Sequence, residues 1–244
     1  MALKPAVCSF FPPVPPPLSK QRVFKNTVSR SKRFAPALIT PLTKDSLARA
    51  AKVLASRDRH LSLIYNAYGT PPMWARQPGF PTLLRIVLEQ QVSLASARAM
   101  FDRLKANINP FSPAHFIARG EPYLRSLGMT RQKAHYAIQV AHAFTRGQLN
   151  GIDKMSDADA HEALISIKGV GPWTANIYLL MALRRADIWP DGDIALASAL
   201  MGIRRMEDRP SFVELSRMAE AWRPFRSVAA RMLWQFYLAE QNRQ

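Results

Sequence analysis

A single cysteine, Cys8, occurs in the 244 residues. It cannot form an intramolecular disulfide, and it excludes zinc or iron–sulfur sites built on several thiolates. Acids are scarce too, with 17 Asp and Glu against 34 Lys and Arg, a formal charge of +17. No stretch reaches the roughly 18–20 apolar residues that a membrane helix needs; the best, Ile177 to Leu183, is far shorter. Internal repeats are absent, and so are β-branched runs alternating with period two.

The basic excess has two parts. Residues 1–44 hold eight Lys or Arg and no acid, together with eight of the 19 prolines, leaving 26 basic and 17 acidic side chains in the remainder. A basic surface on the folded part suggests a polyanion partner, nucleic acid before an anionic membrane. The proline-rich start cannot bury enough apolar surface to offset its ordering entropy, which predicts a disordered arm. Its acid-free, hydroxyl-rich composition also suits an organelle targeting segment, and a basic arm that touches DNA or does nothing fits equally. "AVCSFFPPVPPPL" is broken by prolines and lacks the features of a secretory signal.

From Asp45 to Gln244 apolar residues recur at three and four, which predicts an all-α domain of about ten helices. Phe80 to Leu104 reads as one long amphipathic segment with Pro81 in its first turn. "SPAHFIA" and "EPYLRSLG" read as short helices, the second stopped by Gly128. Thr130 can cap a helix through Phe144 that Gly147 ends, and Ser156 can cap one with an acidic first turn. Phe225, Val228, Ala229, Met232, Leu233, Phe236 and Tyr237 form the apolar stripe of the last helix, with Trp234 off it.

"LISIKGVGPWT" places Gly169 and Gly171 between a helix ending near Ile167 and one starting at Pro172. Gly169 can take the positive φ that stops the first helix, Gly171 allows a close turn, and Pro172 suits a first helical turn. The product is a helix–hairpin–helix with N–H groups exposed at a helix N-terminus, a ready anion site beside Lys168. The helix after it is apolar on every side and leads to "WPDGD". Asp193 there is most simply an N-cap, although an acid at a helix start can also face a cleft. Asp191 is equally available on spacing alone.

Together "LISIKGVGPWTANIYLLMAL", "DIWPDGDIAL", "LEQQVSLASA" and "WRPFRSVAARMLWQ" resemble the helix–hairpin–helix DNA glycosylases, and among them the 3-methyladenine DNA glycosylase II branch, over roughly Phe80 to Glu240. The resemblance implies two helical lobes with a cleft between them. It implies that the backbone of Lys168, Gly169, Val170 and Gly171 grips a DNA phosphate, often with a monovalent cation at the hairpin. It places the catalytic acid at Asp193 and the base pocket at Trp173 and Trp234, with Ile177 and Ile194 on positions that are aromatic in some relatives. Gln91 falls where a side chain fills the gap left by the extruded nucleotide. Strand-cleaving members carry a lysine at the position of Trp173, so base release without strand cleavage is expected. Gly192 replaces the first of two adjacent acids of the branch's turn, and an N-terminal β-domain like that of some relatives is not expected within the 44 residues before the helices.

Chemistry and resemblance agree. Breaking a C1′–N bond builds positive charge on the sugar, which a carboxylate stabilises. The base must leave the stack, least expensively at a damaged pair, and aromatic faces attract a cationic alkylated purine. The expectation is a monomeric enzyme acting on double-stranded damaged DNA in a DNA-containing compartment, without a catalytic metal, an iron–sulfur cluster or a membrane partner. A glycosylase for hypoxanthine or an oxidised base, or a non-catalytic helix–hairpin–helix DNA-binding protein, are the alternatives. His135 and His142 lack metal spacing, and Arg131, Lys133, Arg184, Arg185, Arg204 and Arg205 are ambiguous between phosphate contacts and ordinary basic residues.

Overall fold

The computed structural model describes residues 40–241, and every regular element among them is a helix. The expected arm therefore falls almost wholly outside the described residues. Its last few positions do not: Leu42 is buried, its N–H donates to the Arg184 carbonyl at 2.8 Å, and Thr43 caps the first helix.

Eleven α-helices are present among these residues. They are α1 Lys44–Arg57, α2 Arg59–Tyr68, α3 Phe80–Glu89, α4 Leu94–Asn107, α5 Pro113–Ser126, α6 Arg131–Thr145, α7 Asp157–Ile165, α8 Pro172–Met181, α9 Ile194–Arg204, α10 Phe212–Ala219 and α11 Arg226–Gln241, with a 3₁₀ turn at Glu220–Trp222. The starts are chemically specified. Thr130 Oγ1 accepts from the Lys133 N–H at 3.2 Å, and Ser156 Oγ from the Asp159 N–H at 3.1 Å, each satisfying a helix-start donor with no intrahelical partner. Gly120, at φ 71°, kinks α5 between the two short segments read in the sequence.

Packing groups the helices into two lobes. α3, α4, α5 and α6 form one; α1, α2, α9 and α11 form the other, while α8 packs on α3 and α7 between them. α8 is buried at every position from Thr174 to Met181, as a helix without a polar face must be. Arg231 of α11 fastens this region. Its fully buried guanidinium donates to the carbonyls of Met73, Ser227 and Leu180 at 2.9, 3.0 and 2.8 Å, tying the 69–79 loop and α8 to α11. Burial alone lowers its pKa to about 9.

The long segment expected over Phe80 to Leu104 is two helices. α3 ends at Glu89, Gln91 takes a left-handed φ of 55°, and Ser93 starts α4 by accepting the Ser96 N–H at 3.2 Å. The apolar spacing is compatible with a continuous helix, whereas the break is held by contacts from elsewhere in the chain, described below.

Candidate active site

Asp193 caps α9 through Oδ1, which accepts the Leu196 N–H at 3.0 Å. The same carboxylate lies between two indoles: Trp173 Nε1 donates to Oδ2 at 3.1 Å and Trp234 Nε1 to Oδ1 at 3.3 Å. Residues from α8, the α9 start and α11 thus meet at one carboxylate. Asp193 is 1% exposed, and burial pushes its pKa above the ordinary carboxylate value, opposed by N–H donors from Leu196, Trp173, Trp234 and Ala195. A desolvated carboxylate of this kind gains strongly from a positive charge brought beside it.

Trp234, off the apolar stripe in sequence, is buried and bound to this acid. Trp173 is only partly buried. Ile177, one turn beyond Trp173, is 1% exposed and belongs to the core, while Ile194 is 38% exposed at the start of α9. Asp191 is held elsewhere: its Oδ1 accepts the Ser216 hydroxyl of α10, so the two acids of the turn have separate partners. Spacing does not separate the two acids; their partners do, Asp193 meeting two indoles and Asp191 a hydroxyl.

The hairpin lies immediately before α8. Gly169 has φ 95°, and a Cβ there would stand 2.3 Å from Tyr136 Cγ, so backbone conformation and packing both require glycine. Gly171 differs from expectation. Its φ of −86° is open to any residue, and a Cβ would meet nothing within 4 Å. Glycine at 171 is therefore not needed for the turn itself; a side chain would only occupy open space before the α8 N-terminus.

A cavity of about 430 Å³ opens beside the hairpin, lined by Gln90, Gln91, Lys133, Lys168, Gly169 and Gly171 among others. Gln90 bridges its walls, donating from Nε2 to the Gly169 carbonyl at 3.0 Å and to Thr174 Oγ1 at 2.8 Å. Lys133 Nζ donates to the carbonyls of Leu88 and, at 2.8 Å, Gln90, the orphan acceptors at the end of α3. Burial lowers the Lys133 pKa to about 8, although Glu89 opposes the shift. Glu89, 3% exposed, is gripped by both terminal nitrogens of Arg76 at 3.1 Å and by Arg85 Nε at 3.2 Å. These contacts fix the α3–α4 break.

A monovalent cation at the hairpin is compatible with the residues present. The Ile167 carbonyl accepts the Val170 N–H at 2.9 Å and the Gly169 carbonyl accepts Gln90, and each oxygen keeps a second lone pair for a hard ion.

Sequence reasoning missed Gln90, Glu89 and the role of Lys133. Lys133 follows its N-cap by three residues like any first-turn base, and nothing local shows that it reaches back to α3. Of Arg184, Arg185, Arg204 and Arg205, all ambiguous in the sequence, two have side-chain partners within the protein. Arg185 is 3% exposed and holds the Asp153 and Met155 carbonyls at 2.9 and 3.0 Å, while Arg204 approaches Met218 Sδ at 3.6 Å and Asp58 at 3.9 Å. His135 pairs with Glu121 at 2.7 Å.

Comparison with known proteins gives a consistent result. The DNA-3-methyladenine glycosylase of Bacillus subtilis is 33% identical over 169 residues, covering 64% of this chain but only 56% of its own length. DNA-3-methyladenine glycosylase 1 of Schizosaccharomyces pombe is 26% identical over 203 residues, 81% of this chain and 88% of that protein. Among solved structures, the S. pombe 3-methyladenine DNA glycosylase in complex with abasic DNA superposes with a TM-score of 0.67 at 23% identity, covering 76% of this chain and 95% of its own. A Bacillus halodurans DNA-3-methyladenine glycosidase gives 0.67 at 22% identity, covering 79% and 91%. The family model for the HhH-GPD superfamily base excision DNA repair proteins matches residues 84–224, spanning the hairpin, Trp173 and Asp193, and the chain belongs to that superfamily.

Proposed function

We propose that this protein is a monofunctional DNA glycosylase that removes alkylated purines, 3-methyladenine and 7-methylguanine, from double-stranded DNA in base excision repair. The observation that carries the reading is the Asp193 carboxylate, buried between the indoles of Trp173 and Trp234 and fixed by N–H donors. The names of the relatives in Bacillus and fission yeast support the substrate class.

The chemistry follows from charge. An N3- or N7-alkylated purine is cationic while attached to the sugar, so its departure needs no proton from an acid. As the C1′–N bond breaks, its electron pair neutralises the base and positive charge moves to the sugar ring. A fixed carboxylate is worth most at that moment, because it stabilises the developing oxocarbenium charge more than the bound ground state. Water then adds to C1′ and passes a proton to the carboxylate and on to solvent, leaving an abasic site. Trp173 supplies no amine for a Schiff base, so the strand stays intact. The two indole faces favour a cationic base over a neutral one.

Asp193 is 1% exposed, so a nucleotide reaches it only after the pocket opens. Trp173, the partly exposed indole, is the side chain whose displacement uncovers Oδ2. The hairpin from Lys168 to Gly171 grips a backbone phosphate at the α8 N-terminus, and Gln91 fills the space the nucleotide leaves. All these groups belong to one chain, so a monomer suffices. No helix among the described residues is long and apolar enough to cross a membrane, and the substrate places the protein in a DNA-containing compartment.

The test is incubation with methylated duplex DNA, with released bases and strand breaks quantified separately. Release of 3-methyladenine without strand cleavage is expected. DNA binding without release of any alkylated, deaminated or oxidised base would leave a non-catalytic DNA-binding protein.

A further inference from the structure

The clearest group outside the chemistry at Asp193 is the half-buried Lys133. A solvated lysine on a DNA-binding surface would present its ammonium to phosphate as a point charge. Lys133 instead directs Nζ inward, to the Leu88 and Gln90 carbonyls, from a different helix of the same lobe. Gln90 passes the constraint on, because its side chain holds both the hairpin at Gly169 and the first turn of α8 at Thr174. Gln91 follows directly, in a left-handed conformation that a glutamine adopts only when its surroundings impose it.

Lys133 and Gln90 thus join two parts that touch DNA in different ways. One is the hairpin, which meets the backbone; the other is the Gln90–Gln91 turn, which enters the duplex. Resting on the function proposed above, we infer that Lys133 is a positioning residue for lesion engagement: by holding the Leu88 and Gln90 carbonyls it locks the Gln91 turn to the hairpin, so that phosphate grip and duplex plug are presented in a single register. Without it, the orphan carbonyls of α3 lose their donor and Gln91 can leave its left-handed conformation, while the hairpin keeps its own backbone bonds, such as Val170 N–H to Ile167 O at 2.9 Å.

This role separates from general stabilisation in what it changes. A phosphate contact contributes to every duplex alike, whereas a plug contributes only where a nucleotide is missing or extruded. Loss of Lys133 should therefore lower the preference for damaged over intact DNA, not merely overall affinity. Its charge supplies a second handle. Glu89 of α3, held by Arg76 and Arg85, is the charged group that acts on it, while Lys168 of the hairpin and Tyr136 of its own helix line the same cavity. Its pKa near 8 means that the charge-assisted bonds weaken in mildly alkaline solution, where an arginine would keep its charge.

The experiment measures binding of the full chain to two duplexes, one intact and one carrying a stable abasic-site analogue, from pH 6.5 to 9.5. A 2-aminopurine opposite the analogue reports stacking by the plug. Lys133→Met should lose about tenfold or more of the preference for the abasic duplex and the 2-aminopurine response, while its affinity for intact duplex falls by much less. In the wild type the same preference should decline above about pH 8, and Lys133→Arg should remove that decline. Equal losses on both duplexes, or a decline unchanged in Lys133→Arg, would overturn the positioning role while leaving the glycosylase proposal standing. Absence of any preference for the abasic duplex in the wild type, at every pH, would instead overturn the plug and this inference with it. Circular dichroism and thermal melts identify a variant that has failed to fold, and Gln90→Leu, which removes the same link at its other end, then serves as the second variant.

Discussion

Replacing Asp193 by Asn separates a catalytic carboxylate from an ordinary helix cap. Asn caps a helix as well as Asp does, so a purely structural Asp193 predicts little change in anything. The structure predicts more. The amide oxygen can keep the Leu196 and Trp234 donors that now meet Oδ1, but the amide nitrogen then faces the Trp173 N–H where Oδ2 accepts it. That donor–donor contact costs about 1–3 kcal/mol unless the partly exposed Trp173 swings away. In the opposite direction, the variant removes a carboxylate whose pKa burial has raised, and so relieves desolvation of its ionised form at neutral pH. The two effects offset, and the melting temperature should move by only a few degrees. Catalysis has no such offset: losing a preorganised group at the reacting centre costs about 10²–10³-fold or more in single-turnover base release. The assay is single-turnover release from methylated duplex, with calorimetry of both proteins. Turnover within tenfold of wild type in a folded Asp193→Asn protein would refute the argument. The pH dependence adds a sign. Only the carboxylate form works, so activity should rise with pH through the Asp193 pKa, at a higher pH than an ordinary aspartate would give. Protonation relieves desolvation, so Asp193 favours the folded state on the acid side, and that stability is lost as pH rises through its folded pKa. The acid fall in activity should therefore occur with the protein still folded.

Five further variants have expected outcomes. Gly169→Ala places a Cβ against the Tyr136 ring at positive φ and should lower the melting temperature and DNA affinity together, whereas Gly171→Ala, with open space around it, should melt like wild type yet bind duplex DNA more weakly in fluorescence anisotropy at fixed salt. Asp191→Asn changes an acid bound to Ser216, and base release should stay within about threefold of wild type, a typical surface-substitution outcome. Trp173→Phe removes the N–H that Asp193 Oδ2 gives up when Trp173 moves aside, and keeps an aromatic face; base release should stay within about tenfold of wild type, with DNA affinity nearly unchanged. Arg231→Met leaves the Met73, Ser227 and Leu180 carbonyls without their buried donor and should cost about 3 kcal/mol or more in urea unfolding, with no specific effect on lesion choice.

Much of this molecule was legible because its signals are local. Thr130 and Ser156 cap helices where hydroxyl residues precede apolar periodicity, and Gly169 turns where a positive φ is needed, since caps and φ preferences involve residues only a few positions apart. α8 is buried all round because it has no polar face to present to water. The turn after α8 offered Asp191 and Asp193 as candidate acids for the same reason, and only the family resemblance pointed to Asp193. Reasoning failed where a distant group decides. The apolar spacing from Phe80 to Leu104 suits one helix, but Lys133 satisfies the carbonyls at Leu88 and Gln90, and Gln90 itself is committed to the hairpin, so the chain breaks there.

The sequence by itself therefore determined the helical class, the hairpin and a short choice of acids, because backbone preferences and hydrophobic periodicity act over one or two turns. Tertiary structure decided which acid sits between two indoles and which binds Ser216, which arginines are buried fasteners, and that a lysine of α6 holds the turn carrying Gln91. Those outcomes depend on desolvation and on hydrogen bonds between groups 20 to 158 residues apart, and no local pattern encodes them.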